Sequence, residues 1–249
     1  MGARDQEREH QGGMKVQLIS AGAAQGLVGV LRERVARELG ADIEGVFGAV
    51  GLMQEKLLGG APCDVVILTR SQIDALVQDG DVQAGSARDL GAVATGIAVV
   101  QGASIPDVAT PAALRAALLD SVAIYLPDPV KSTAGRHFAL VLLELGVVSQ
   151  VAQRLRPYPN GATAMREMVQ AAPGLAGSVI GCTQQTEILN TPGALWVAPL
   201  PKALGLATVY TAAVAARCTH PAAAQQLVEL LAGADAATLR RAGGFSDAA

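Results

Sequence analysis

The residues of this sequence that could do chemistry gather where an apolar strand-like run gives way to a helix. The densest stretch is Asp128-Pro129-Val130-Lys131-Ser132-Thr133-Ala134-Gly135-Arg136-His137. Arg136 and His137 fall in the first turn of a helix expected from Ser132 onward. A cation there opposes the helix dipole by about 0.3–1 kcal/mol unless an anion lies nearby. The placement therefore points to an anion, with Lys131, the Ser132 and Thr133 hydroxyls and the turn's N–H groups completing a concavity of donors. The plain alternative is that Arg136 and His137 face solvent. A second junction, Ser20-Ala21-Gly22-Ala23-Ala24-Gln25, lacks bulk, so helix N–H groups behind Ser20, Gly22 and Ala23 are open to an anion. A tight strand-to-helix turn uses the same small residues. The third, Gly181-Cys182-Thr183-Gln184-Gln185-Thr186-Glu187, sets hydroxyls, amides and one carboxylate directly after a strand. There Gln184 suits ligand orientation, although a polar first turn of a helix reads almost the same. Thr69-Arg70 makes a fourth candidate. His137 and Glu187 are the groups suited to moving a proton.

The elements that must position these groups alternate in the manner of an α/β protein with a largely parallel sheet. Strands are predicted at 16–20, 45–50, 64–68, 95–100, 121–126, near 156–158, at 178–182 and at 208–216. Between them, Leu27, Leu31, Val35 and Leu39 recur at i+4 up to a Gly40 C-cap, and Ser71 with Asp74 resembles a capping box. Thr110-Pro111 supplies an N-cap and an N1 proline. Further helices are expected at 52–58, 132–145, 148–155 and 162–171, and two after Pro221. In open α/β sheets ligands lie outside the carboxyl ends of strands, so all four junctions can face one cleft.

Composition excludes several function classes. With 249 residues, 51% hydrophobic and 16% charged, the chain can bury a large core, and its net charge of -3 gives no basic surface for nucleic acid. An aromatic content of 3% leaves few platforms for stacking bases, so a ligand must be held by backbone dipoles, hydroxyls, amides and charges. Cys63, Cys182 and Cys218 are odd in number and lack CxxC spacing, and His10, His137 and His220 form no i, i+4 pair. Neither a disulfide framework nor a metal site is signalled, and no cofactor is expected. GxGxxG, GxxxxGK[ST] and GxSxG are missing. Residues 1–13 read as a disordered tail without a leader's apolar core, and no apolar run is long enough to span a membrane. A cytoplasmic location is expected, or a periplasmic one if a native leader has been removed.

Five stretches carry a family resemblance: SAGAAQGL (20–27), GLMQEKLLGGAPCDVVILTRSQIDAL (51–76), DPVKSTAGRHFALVLLELGV (128–147), VAPLPKALGLATVYTAAVA (197–215) and GADAATLRRAGGF (233–245). In order and spacing, over 15–245, the chain resembles the molybdate-binding-protein-like branch of type II periplasmic binding proteins. The resemblance implies two α/β lobes with a ligand cleft between them, one built from 14–98 plus 209–249 and the other from 99–208. Under this resemblance, the two serine hydroxyls and the tyrosine hydroxyl that the branch turns on molybdate fall at Ala23, Val50 and Ile180. Each lost hydrogen bond to a charged ligand costs about 1.5–3 kcal/mol, which argues against molybdate. Arg70, Lys131, Arg136 and His137 suit a carboxylate instead.

Some proteins that look like this branch are enzymes, aconitate isomerase among them. One expectation is therefore an isomerase for a small unsaturated polycarboxylate, with His137 or Glu187 shuttling an allylic proton and the junctions' donors stabilising the developing charge. The other is a non-catalytic binder, either the receptor of a transporter permease or a cytoplasmic sensor, that closes its lobes on an anion.

Overall fold

The computed structural model describes residues 13–247, so the tail expected at 1–13 lies, apart from Gly13, outside the described residues. The chain opens with β1 (Met14–Ala21), α1 (Gln25–Leu39), β2 (Ala41–Gly48), α2 (Val50–Leu58), β3 (Val65–Thr69) and α3 (Arg70–Gln78) before a long strand, β4 (Arg88–Val100). Next come α4 (Pro111–Asp120), β5 (Ala123–Pro127), α5 (Thr133–Glu144), α6 (Val148–Val151), β6 (Leu155–Tyr158) and α7 (Gly161–Ala171). After these follow β7 (Val179–Gln184), α8 (Gln185–Leu189), β8 (Ala194–Pro199), β9 (Ala207–Val214), α9 (Pro221–Ala232) and α10 (Ala237–Ala242).

Two lobes arise because β4 changes partners along its length. Its first half, through Ala94, lies antiparallel to β9; from Thr95 onward it pairs with β7 and β8. The sheet order is β2-β1-β3-β9-β4-β7-β5-β6, with β8 attached to β4. Strands β1 to β3 and β5 to β7 are parallel within their own groups, which fits apolar runs such as the fully buried β3. The apolar cores divide in the same way. One cluster joins residues from both chain ends, Leu18, Ile67, Tyr210 and Leu227 among them. Two smaller ones draw only on 97–204, with Phe138 of α5 in one and Met165 and Met168 of α7 in the other. A single-file sequence thus yields one lobe made of its two ends and one made of its middle.

Local chemistry corrects four expectations. The capping box lies two residues earlier than expected: Gln72 N donates to Thr69 Oγ1 (3.4 Å) and Thr69 N to Gln72 Oε1 (3.3 Å), so Ser71 and Asp74 are already helical. The second strand spans Ala41–Gly48, and Val50 starts α2. The strand expected at 95–100 is the far half of β4. Strand β8 was not expected, because proline and small residues follow its short apolar run. Gly40, by contrast, ends α1 in the left-handed conformation (φ +61°), as its position after Leu39 implies.

Asp64, 1% exposed, ties the start of β3 to the segment before α9. Its carboxylate accepts from Gln17 N (2.8 Å), Thr219 N (2.7 Å) and Thr219 Oγ1 (3.0 Å). Burial works against the charge, but these donors and the Cys218 thiol outweigh it and hold the pKa down at about 2. A depressed carboxylate contributes stability above its unfolded pKa of 3.8, and that stability drains as pH falls through about 2. We expect Asp64→Ala to cost about 1–2 kcal/mol near neutrality after solvent screening, and to remove that acid-dependent share. Urea titrations at pH 7 and pH 2.5 check this; an unchanged gap between the two pH values overturns it.

Candidate functional site

The four junctions do not contribute equally. Strand β7 delivers Thr183 and Gln184 to its carboxyl end, and Gln184 caps α8, so Glu187 sits three residues into a first turn. From there the Glu187 side chain reaches the contact between the lobes. It is 7% exposed. Thr183 Oγ1 donates to its Oε2 at 2.5 Å. Two glycines from opposite lobes leave room for it: a Cβ on Gly22 would stand 2.6 Å from Oε1, and one on Gly161 2.0 Å from Oε2. Burial drives the Glu187 pKa up, against the pull of the Thr183 hydroxyl and of N–H groups of Gln184, Ala162 and Gly161. The last two open α7, whose N-cap Asn160 accepts from Thr163 N at 2.8 Å. Tyr210, buried on β9, is raised by its burial and by the Glu187 charge.

The expected cations lie elsewhere. Arg70 Nη1 grips Asp89 (2.7 and 2.8 Å), with Nε 3.5 Å from Asp74. Lys131 Nζ pairs with Glu55 at 2.9 Å, while Lys131 O accepts from Gly51 N at 3.0 Å, a clasp that joins α5's entry loop to α2. Arg136 is exposed. His137 Nε2 stands 2.7 Å from Leu204 O, so that nitrogen carries the proton and donates, and it is not a free base. These four residues do not meet at Glu187, because carboxylates and a carbonyl nearer in the fold claim three of them.

The small and hydroxyl-bearing candidates fare differently. Ser20 is buried and donates to Ala21 O (2.9 Å), Ser132 caps α5 by accepting from Gly135 N (3.4 Å), and Thr69 caps α3. Gly22 touches Glu187, whereas Ala23 lies behind it on a pocket with Leu27, Thr186 and Leu239. Buried and without a partner are the hydroxyls of Thr95, Thr133, Thr186 and Thr208 and both polar atoms of Gln184, itself 3% exposed. Thr95 and Gln184 are opposite each other on β4 and β7, facing the side that α5 covers, as Ile97 and Ile180 do. Ile180 therefore lies in the core, and the hydroxyl that β7 presents to the interlobe contact is Thr183.

Sequence reasoning missed Gly161 and Ala162. Their signal was present as Pro159-Asn160-Gly161, a turn followed by an N-cap at a strand-to-helix junction. Among the described residues no cluster of His, Cys, Asp and Glu could hold a metal ion, the three cysteines are free, and no single helix is long and apolar enough to cross a membrane.

A sheet shared by two lobes through one partner-switching strand, with helix N-termini and a buried polar site where the lobes meet, defines a two-lobed type II periplasmic-binding-protein fold. Residues 16–246 match the family described as bacterial extracellular solute-binding protein, and the chain belongs to it. It is 30% identical over 186 residues to an aconitate isomerase from Pseudomonas sp, a match covering 73% of this chain and 66% of that protein. The periplasmic molybdate-binding protein of Azotobacter vinelandii superposes with a TM-score of 0.76 at 16% identity, covering 93% of this chain and 98% of that one. The sulfate-binding protein of Mycobacterium tuberculosis H37Rv gives 0.70 at 19% identity, over 93% and 86%.

Proposed function

We propose that the chain is an isomerase that shifts a double bond in an unsaturated polycarboxylate such as aconitate, with Glu187 as the proton carrier. The observation that carries the reading is Glu187 itself, a carboxylate buried where the lobes meet, in no ion pair among the described residues and with its pKa pushed up by burial. Ionised, it takes an allylic proton from one carbon of the substrate. The electron pair delocalises over the allyl unit and its adjoining carboxylate, and the protonated Glu187 returns the same proton to the far carbon. Atoms and charge balance without a redox partner or cofactor. The Gln184 carboxamide and Thr133 hydroxyl, unpartnered within the protein, supply donors for substrate carboxylates. The 30% identical isomerase supports this reading. Purified protein incubated with cis- and trans-aconitate in deuterated water should interconvert them, with the transferred hydrogen retained as protium at the far carbon by NMR. Inertness toward both isomers and related unsaturated acids overturns it.

The structural relatives favour a second reading, a solute receptor that closes on a small anion and releases it unchanged, with a transporter permease as its partner. Tight calorimetric binding of an organic acid without turnover selects it. The isomerase reading goes with the cytoplasm, and the receptor reading with the periplasm named for the Azotobacter relative.

A further inference from the structure

Glu187 lies where α7 begins: the Thr183 hydroxyl donates to its Oε2, and Gly161, the first residue of α7, stands against the same oxygen. A helix N-terminus with a hydroxyl beside it is a place for an anion. The anion already there is part of the chain. Both carboxylate oxygens of Glu187 are enclosed, Oε1 against Gly22 of one lobe and Oε2 against Gly161 of the other, so tightly that a methyl group on either glycine would displace the carboxylate.

We propose that Glu187 is a tethered ligand, a built-in carboxylate that fills the anion cradle of α7, touches the opposite lobe through Gly22, and bars free oxyanions from this position. Selectivity follows from occupancy: a sulfate or molybdate ion would have to displace a covalently attached competitor whose local concentration no free ion matches. Ligands admitted by this protein must then approach beside Glu187 and use other donors. Two named structural relatives are a molybdate-binding and a sulfate-binding protein, so the tether accounts for how one fold can serve a ligand class without a free tetrahedral oxyanion.

The assignment concerns occupancy and is independent of turnover: failure of the aconitate assay removes the catalytic reading and leaves this one standing. Its test is Glu187→Ala, read by thermal shift and calorimetry with sodium formate and sodium sulfate at pH 8, and with sodium chloride as the ionic-strength control. We expect the variant to bind formate or sulfate at least about tenfold more tightly than the wild type, whose melting temperature follows only the chloride control. A folded variant that gains no anion affinity overturns the proposal, as does a wild type that binds sulfate as tightly as the variant. If the variant does not fold unaided, refolding in rising formate decides: formate-dependent recovery supports the tether, and failure at every concentration overturns it.

Discussion

With Glu187 as the proposed proton carrier, Glu187→Gln should lower turnover of aconitate by about 10²–10⁴-fold while leaving the protein at least as stable as the wild type at pH 8. The two halves of that expectation have one cause. A glutamine side chain keeps the volume between Gly22 and Gly161, and its carbonyl oxygen can still accept from the Thr183 hydroxyl. What it lacks is the ability to take and return a proton. It also lacks a charge that burial disfavours, since the Glu187 pKa is raised in the folded protein. For a raised carboxyl, the stabilising share is complete below the unfolded pKa of 4.5 and is lost as pH rises through the folded value. Glu187→Gln therefore flattens the wild type's decline in stability across that window. Melting curves from pH 4 to pH 9 beside single-turnover kinetics check both halves. A variant that keeps its activity eliminates Glu187 as the proton carrier, and one that unfolds at pH 8 marks it as structural.

Much of the scaffold could be read from the sequence because its signals are local. The i+4 leucines of α1 with Gly40 behind them, Thr110-Pro111 ahead of α4 and the run at 64–68 each obey a rule satisfied within a few residues. Thr69 shows the limit of such reading: as the last residue of a buried strand it was free to cap, and Gln72 three residues on completed the box, but Ser71 and Asp74 carried a similar pattern two residues later. Strand β8 failed for the opposite reason, since its pairing depends on β4, almost a hundred residues distant in sequence.

The site was legible in its junctions and less so in its charges. Lys131 and Arg70 looked like ligand cations because a sequence does not show that Glu55 and Asp89 fold back to meet them. His137 looked like a base because its hydrogen bond to Leu204 O joins residues 67 positions apart. Glu187 was a candidate for the simple reason that it was the one carboxylate at a junction rich in hydroxyls and amides. What raised it above the others is a long-range fact, the approach of Gly22 and Gly161 from two lobes.

Those glycines make the second large expectation. Gly161 is the first residue of α7 and is not among the glycines with positive φ, so the helix itself does not oppose an alanine there. In the folded protein the new methyl group would lie 2.0 Å from both Glu187 Oε2 and Thr183 Oγ1. The carboxylate must leave its place, and we expect a net loss of about 1–3 kcal/mol in stability together with a loss of turnover comparable to that of Glu187→Gln. Steric and electrostatic causes separate in a double-mutant cycle. In a Glu187→Ala background the crowding carboxylate is gone and only the Thr183 hydroxyl, on a rotatable side chain, still meets the methyl. The cost of Gly161→Ala should shrink there, with a coupling of about 1 kcal/mol or more. In a Glu187→Gln background, where volume is kept and charge removed, the cost should persist. Urea unfolding of the single and double variants measures both. Additive losses in the alanine background would mean that Gly161 is small for some reason other than the carboxylate beside it.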